Sequence, residues 1–175
     1  MNNSYQIIDN ALDYKQFANL KNFIYSSTFS WYFQSTVAYS VGSLEEPLTE
    51  LQEIYNDMHT HTIYAEDFVN TTNEVWEHIQ PIKEMLKIKS LMRIKVNSYP
   101  RTSKIIHHQK HVDFPFKHKG ALFYVNDCDG LTVLEDGTEI KSVANRLLLF
   151  DSSKPHHSTT TTNVSRRINI NFNYL

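Results

Sequence analysis

The chain has few cysteines, glycines and prolines and no long apolar run, so its composition is not that of a disulfide-rich secreted protein, a fibrous protein or a membrane protein. Its single cysteine, Cys128, excludes an intrachain disulfide and suits a reducing compartment. Four glycines and five prolines among 175 residues exclude collagen-like and low-complexity sequence. The longest apolar runs, such as Leu147 to Phe150, are far shorter than the ~20 residues that a membrane-spanning helix needs.

A large excess of one charge is absent as well. The formal net charge is −2 at pH 7, which gives no global reason to expect binding to nucleic acid or to an anionic membrane. Residues 1–10 lack the charged-then-apolar pattern of a secretory signal. We therefore expect a soluble protein of the cytoplasm, or of the host cell cytoplasm if the protein is viral, without a membrane partner.

What the chain does contain is globular in character. Hydrophobic residues make up 41% of it and aromatic residues 13%. We expect a single domain over residues 1–175, in which residues 1–88 support a strand-rich core at residues 89–175.

Apolar residues at helical spacing predict two amphipathic helices in the first half. One helix runs from a cap at Asn10 to about Ser26, and the other from Thr72 to Ile88. Between them, the aromatic stretch from Trp31 to Phe33 predicts an edge strand. Its rings either pack on the core or hold a substrate at the mouth of a site.

Short alternating or apolar stretches, separated by turn residues, predict eight strands. Turns are expected from Asn126 to Gly130 and at Asp136-Gly137. Many short strands at this spacing are typical of a β-sandwich or jelly roll, and the preceding helices make the fold class α+β, with helices against one sheet. The predicted strands are Tyr5–Ile8, Leu91–Ser98, Gly120–Val125, Leu131–Leu134, Glu139–Val143, Arg146–Phe150, His156–Thr159 and Arg166–Tyr174.

Two histidines and one aspartate form a candidate metal site. His111 and Asp113 are alternate residues, so their side chains share a face if the segment is extended. The H-x-D spacing alone is close to chance in a chain with nine histidines. His156, from a later strand, completes a set of two imidazoles and one carboxylate. Such a set occupies one face of octahedral Fe(II) and leaves three positions open.

The last predicted strand carries a polar stripe. Asn169, Asn171 and Asn173 alternate with apolar residues, and Arg167 begins the stripe. An arginine that faces a cavity can bind a carboxylate through two parallel hydrogen bonds. The alternative is an exposed sheet face, on which Arg166 and Arg167 both point to solvent.

A basic segment surrounds His111. It is either a solvated rim or an electrostatic guide for an acidic substrate, such as a nucleic acid or an acidic peptide. Its members are Arg101, Lys104, His107, His108, Lys110, Lys117, His118 and Lys119.

Five stretches together resemble the Fe(II)/2-oxoglutarate-dependent oxygenase superfamily, most closely its prolyl-4-hydroxylase-like branch with small phage and bacterial relatives. The resemblance covers residues 89–175 and extends weakly to residues 7–10 and 29–32. Its specific feature is the order of the H-x-D motif, the later histidine and the arginine. The stretches are His111–Asp113, Ala121–Asn126, Asn145–Asp151, Pro155-His156 and Arg167–Asn171.

The resemblance implies a double-stranded β-helix, or jelly roll, that hydroxylates a substrate with Fe(II), 2-oxoglutarate and O2. Succinate and CO2 are the implied co-products, and ascorbate is an optional addition. In this family pattern His111, Asp113 and His156 ligate the iron.

The same resemblance implies a co-substrate site on the last strand. Arg167 binds the distal carboxylate of 2-oxoglutarate, and Tyr124 shares that carboxylate through its hydroxyl. Asn169 and Asn171 belong to the stripe that lines the cavity.

Adjacent residues leave two assignments open. His156 and His157 point to opposite faces of a strand, and the family's ligand follows the loop where Pro155 falls, which favours His156. Arg167 shares the phase of the asparagine stripe, whereas Arg166 shares the phase of the apolar face.

The substrate is open between peptidyl proline, an amino acid, a nucleobase and a small metabolite. Two other functions compete: a non-catalytic jelly-roll protein that binds a metal or ligand, and a zinc hydrolase on the same ligands. The intact ligand set argues against the first, because a degenerate site is free to lose a ligand. The second leaves Arg167 and Tyr124 without a role.

Overall fold

The computed structural model describes residues 5–37 and 49–175, and within these ranges it has eleven strands and three helices. The helices are α1 (Tyr14–Ile24), α2 (Glu50–Ile54) and α3 (Asn73–Leu86). The strands are β1 (Tyr5–Ile8), β2 (Tyr32–Gln34), β3 (Met58–Ala65), β4 (Phe68–Val69), β5 (Leu91–Pro100), β6 (Lys119–Tyr124), β7 (Leu131–Val133), β8 (Glu139–Lys141), β9 (Arg146–Phe150), β10 (His157–Ser158) and β11 (Arg166–Tyr174).

The strands form a large and a small antiparallel sheet. The large sheet has the order β1-β9-β6-β11-β5-β3-β2, with β4 paired to β3, and the small sheet has the order β10-β7-β8. All eight predicted strands are present, and β1, β9 and β11 have the predicted bounds. Because β1, β2 and β3 join the large sheet, residues 1–88 contribute strands as well as helices.

Strand phase separates the two faces of the large sheet. On β11, Ile168, Ile170 and Phe172 belong to the main apolar core, which includes buried residues of α1 and α3. The alternate residues point toward the small sheet, where the Arg167 guanidinium donates to Thr132 on β7. The stripe that begins with Arg167 is therefore buried between the sheets, and the alternative of an exposed polar face is wrong.

Helix α1 is capped by Asp13, and the predicted cap at Asn10 is wrong. The Asp13 carboxylate accepts from the Gln16 backbone N–H at 2.9 Å, and the Gln16 side chain accepts from the Asp13 backbone N–H, which completes a capping box. Asn10 instead has a φ of 52° in the preceding turn, a conformation that asparagine adopts more readily than most residues.

Asn145 joins the start of the chain to the large sheet. Its side chain accepts from the Leu12 N–H at 2.9 Å and donates to the Leu12 carbonyl at 2.8 Å. Its backbone carbonyl accepts from the Ala11 N–H at 3.0 Å. This clamp holds the segment that leads into α1 against the strand β9.

The aromatic stretch at Trp31 forms part of the edge of the large sheet. Strand β2 pairs only with β3 among the described strands, so the predicted edge strand is confirmed. Trp31 packs against the main core, whereas Tyr32 and Phe33 are 59% and 62% exposed. No helix in the described part of the chain is long and apolar enough to span a membrane.

Candidate functional site

The three predicted metal ligands come together beside the small sheet. His111 and His156 form an antiparallel bridge, with N–O distances of 2.9 Å in both directions. The ligand atoms of His111, Asp113 and His156 all lie within 4.8 Å of one another, and His157 is not part of this group. His111 thus reaches the site through an isolated bridge rather than through a regular strand.

Backbone carbonyls fix the tautomer of both imidazoles. His111 Nδ1 lies 3.3 Å from the Gln109 carbonyl, and His156 Nδ1 lies 2.9 Å from the Lys154 carbonyl. A carbonyl only accepts, so each Nδ1 donates and each Nε2 keeps its lone pair for a metal. Burial and the neighbouring His156 lower the pKa of His111 to about 4, which keeps its ring neutral at pH 7.

Asp113 is held as a carboxylate by three donors. Arg93 Nη2 donates to Oδ1 at 2.5 Å, Asn173 Nδ2 donates to Oδ2 at 2.9 Å, and Asn171 Nδ2 lies 3.2 Å from Oδ2. Burial alone would raise the pKa of Asp113, but Arg93, the two imidazoles and Asn173 together hold the pKa below its usual range. At pH 7 the site therefore combines the Asp113 carboxylate with the neutral imidazole of His111.

Arg167 is a fully buried cation on the same face of β11. Its Nε donates to Ser142 Oγ at 2.7 Å, and its Nη2 donates to Thr132 Oγ1 at 2.8 Å. Its guanidinium carbon lies 5.1 Å from the ring centre of Tyr99 and 5.8 Å from that of Tyr124. No carboxylate within the described ranges forms an ion pair with it. Because burying a charge without a counter-ion raises the free energy of the folded protein, the environment of Arg167 favours the binding of an anion.

Two further residues lie against Arg167 and fix its position. The Tyr124 hydroxyl donates to Thr132 Oγ1 at 2.9 Å, so Tyr124 and Arg167 converge on one oxygen. Gly130 leaves room for the arginine stem, because a Cβ at this position would overlap Arg167 Cδ and lie 2.7 Å from the Thr160 carbonyl. Tyr124 and Arg167 are thus adjacent, as the predicted co-substrate site requires.

The remaining predicted residues are placed differently. Asn171 contacts Asp113, and Asn169 accepts from the Asn97 amide at 3.0 Å. A co-substrate role for either asparagine stays a prediction. Arg166 lies in the opposite phase of β11, beside a cleft of about 540 Å³ on the helix side of the sheet.

Strand β5 supplies residues that the sequence prediction did not assign to the site. Its polar face runs alongside the stripe of β11, with Arg93 opposite Asn173, Lys95 opposite Asn171 and Tyr99 opposite Arg167. The signal was the alternation of polar and apolar residues in β5, which indicated a half-buried strand but not which sheet face covers it. The same holds for Ser142 and Thr132, whose roles depend on contacts across the two sheets.

The basic segment divides between surface and interior. His108 and His118 are buried, and His118 Nε2 bonds Ser152 Oγ at 2.7 Å. Its other members are exposed, namely Arg101, Lys104, His107, Lys110, Lys117 and Lys119.

A pocket of about 250 Å³ opens beside the metal ligands. Its lining includes His111 and Asp113 together with Arg93 and Lys95 of β5 and with polar residues of β3. Burial and the neighbouring Arg93 lower the pKa of Lys95 to about 8.

The donor set fits Fe(II). Two imidazoles and one carboxylate, with the remaining positions open, are the ligands of non-haem Fe(II) oxygenases. A buried arginine with two hydroxyl neighbours fits the carboxylate of an anionic co-substrate.

No family model and no curated protein matches the chain, but solved structures do. A prolyl hydroxylase from Trichoplax adhaerens, in complex with a hypoxia inducible factor oxygen degradation domain peptide fragment, is similar over 99% of this chain and 84% of that chain, with 17% identity and a TM-score of 0.62. A 2OG-Fe(II) oxygenase family oxidoreductase from Burkholderia pseudomallei is similar over 98% and 85%, with 10% identity and a TM-score of 0.67.

The viral collagen prolyl hydroxylase of Paramecium Bursaria Chlorella virus-1, in a complex with 2OG, is similar over 99% of this chain and 98% of that chain, with 15% identity and a TM-score of 0.57. Likenesses at these identities concern the fold. The predicted α+β jelly roll is confirmed. The chain has the double-stranded β-helix fold of the Fe(II)- and 2-oxoglutarate-dependent oxygenases, including the prolyl hydroxylases.

Proposed function

We propose that this protein is an Fe(II)- and 2-oxoglutarate-dependent oxygenase that hydroxylates its substrate and releases succinate and CO2. The observation that carries the proposal is the convergence of His111, Asp113 and His156 within 4.8 Å on the fold of these oxygenases. The buried Arg167 beside Tyr124 supports 2-oxoglutarate as the co-substrate.

Each residue has a distinct task in this proposal. Bound Fe(II) and 2-oxoglutarate supply the oxidising chemistry. His111, Asp113 and His156 hold the metal through Nε2, a carboxylate oxygen and Nε2. Arg167 and the Tyr124 hydroxyl anchor the distal carboxylate, which orients the 2-oxo acid end toward the metal.

The surrounding protein keeps these groups in their working states. The Nδ1 contacts of the two histidines fix the imidazole orientation before any metal binds. The charge of Arg93 keeps Asp113 ionised. Burial of Arg167 excludes water from the carboxylate that it binds, which strengthens that interaction.

For the substrate, the cellular location and the domain organisation, our proposals are less specific than for the reaction. Peptidyl proline, an amino acid, a nucleobase and a small metabolite all remain candidates, and the likeness to prolyl hydroxylases supports the first. A cytoplasmic location is supported by the single cysteine. We also propose that residues 1–175 form one domain.

Succinate formation tests the function. The purified protein with Fe(II), 2-oxoglutarate, ascorbate and air should form succinate even without substrate, slowly and in an iron-dependent manner. His111→Ala should abolish it, whereas Glu77→Ala on the exposed face of α3 should not. Zinc-dependent hydrolysis without succinate would favour a hydrolase, and binding of metal without turnover would favour a non-catalytic protein.

A further inference from the structure

We propose that the pocket beside the metal ligands binds an anionic group, a carboxylate or a phosphate, of the molecule that is oxidised. This rests on the proposed oxygenase function and adds the substrate class. The site consists of Lys95 on β5 with Thr60 and Thr62 on β3, next to His111.

The register of the large sheet places these side chains on one face. Thr62 pairs with Lys95, and Thr60 pairs with Asn97. Cross-strand partners in an antiparallel sheet point to the same side, so an ammonium group and two hydroxyls line the same wall. This is the side that carries Asp113 and the polar stripe of β11, and each of the three groups can donate a hydrogen bond.

Lys95 has no hydrogen-bonded counter-ion among the described residues, although the nearby Asp113 carboxylate attracts it. The neighbouring Arg93 already has partners, since its Nη2 donates to Asp113 and its Nε donates to Asn173 Oδ1 at 3.0 Å. Lys95 Nζ forms no hydrogen bond or ion pair within residues 5–37 and 49–175. A half-buried ammonium without a hydrogen-bonded partner among the described residues is stabilised when an anion binds beside it.

The size of the pocket limits the size of the molecule that can carry the anionic group. About 250 Å³ is below the roughly 300–1,000 Å³ that drug-sized ligands occupy. A small acid, a phosphate monoester or a single acidic side chain fits this space. Because the pocket includes two metal ligands, an anion held there places neighbouring C–H bonds close to the metal.

Substrate-stimulated turnover tests the proposal. Succinate formation is measured with pools of small carboxylates against their amides, and with phosphate monoesters against the parent alcohols. We expect at least a fivefold stimulation by one anionic pool and none by its neutral counterpart. Lys95→Met should reduce this stimulation at least tenfold, chiefly through KM. Lys95→Arg should restore part of it, and Lys15→Met on the exposed side of α1 should behave as the wild type.

Binding of 2-oxoglutarate is followed in parallel by the visible charge-transfer band of the anaerobic Fe(II) protein. Lys95→Met should retain this band and the wild-type melting temperature. Equal stimulation by neutral counterparts, or no stimulation by any anionic pool while the band is intact, would overturn the anion site but not the oxygenase. A weaker affinity of Lys95→Met for 2-oxoglutarate would also overturn it, because Lys95 would then serve the co-substrate. Absence of the band in the wild type would instead reject the oxygenase, and the anion site with it.

Discussion

Asp113 is the side chain on which the polar contacts of the candidate metal site converge. Arg93 supplies a charge-assisted hydrogen bond to Oδ1, and Asn173 donates to Oδ2. Such bonds are shorter and stronger than neutral ones, and they fix which carboxylate oxygen faces a metal. The metal affinity of the site should therefore depend on residues that do not themselves bind the metal.

Arg93→Gln tests this dependence. The variant keeps a donor near Asp113 but loses the positive charge, so the carboxylate is held less firmly. We expect the dissociation constant for Fe(II) to rise by about 10- to 100-fold, measured by anaerobic titration. Arg101→Gln on the exposed rim serves as the control and should leave the constant unchanged. An unaltered affinity in Arg93→Gln would show that Asp113 is positioned by the asparagines alone.

For individual residues, the sequence predicted the candidate metal ligands but not the residues that support them. The H-x-D motif, the later histidine and the phase of Arg167, taken together with the family resemblance, named residues that the structure brings together. Arg93 could have been assigned to the site only from its pairing with Asn173, a contact between distant parts of the chain. Such pairing depends on sheet order, which local periodicity does not encode.

The turn between β6 and β7 is the element that makes room for Arg167, the proposed anchor of the co-substrate. It contains Gly130, whose missing side chain leaves space for the aliphatic stem of Arg167. The turn between β7 and β8 contains Gly137, which has a φ of 82° and nothing within 4 Å of an added Cβ. The two glycines are therefore needed for different reasons, one for space and the other for backbone conformation.

A pair of alanine variants separates these reasons. Gly130→Ala should displace Arg167 and weaken 2-oxoglutarate binding by at least tenfold, because the guanidinium moves away from its position beside Tyr124. Gly137→Ala should cost about 1 kcal/mol of unfolding free energy, since it forces a left-handed residue, and should leave 2-oxoglutarate binding unchanged. Titration of 2-oxoglutarate and urea denaturation measure the two effects. Similar binding by both variants would contradict the role given to Gly130.

Elements were predicted well where periodicity was strong and less well at their ends. Strand β11 has the predicted bounds because its alternation is unbroken from Arg166 to Tyr174. The start of α1 was misplaced because both Asn10 and Asp13 are good capping residues. Asp13 is the N-cap in the structure because it forms reciprocal hydrogen bonds with Gln16. The sequence allows this side-chain geometry but does not require it.

Across the whole molecule, the fold buries several histidines in the neutral form. Burial is the largest cause in each case, and it lowers the pKa of His108 to about 3 and those of His111 and His157 to about 4. The unfolded chain takes up protons on these rings near pH 6.5, whereas the folded protein does not. Stability of the metal-free protein must therefore fall as the pH decreases from about 6.5 towards 4.

Urea denaturation of the chelator-treated protein at pH 7 and pH 5 measures this effect. We expect the free energy of unfolding to be lower at pH 5, by about 1 kcal/mol or more for each fully buried histidine. His108→Gln should show a smaller decrease, because its neutral side chain takes up no proton in either state. Equal stability at the two pH values would show that the histidines are accessible to protons in the folded protein.

The overall architecture was predictable only in part. Strand positions and the family resemblance gave the jelly roll, and the predicted helices do cover one face of the large sheet. The pairing of β1 with β9 and the position of β3 beside β5 did not follow from periodicity, since they join segments far apart in the chain. The position of Ser142 and Thr132 beside Arg167 depends on contacts that are just as long-range.

The most direct test of the proposed function is an anaerobic titration of 2-oxoglutarate into the Fe(II)-loaded protein. A weak visible charge-transfer band should grow to saturation in the wild type. It should be absent in His111→Ala, which cannot complete the metal site. In Arg167→Met the band should need at least a tenfold higher 2-oxoglutarate concentration, because the distal carboxylate loses its cation. A wild-type protein that binds Fe(II) but develops no band at any 2-oxoglutarate concentration would contradict the proposal.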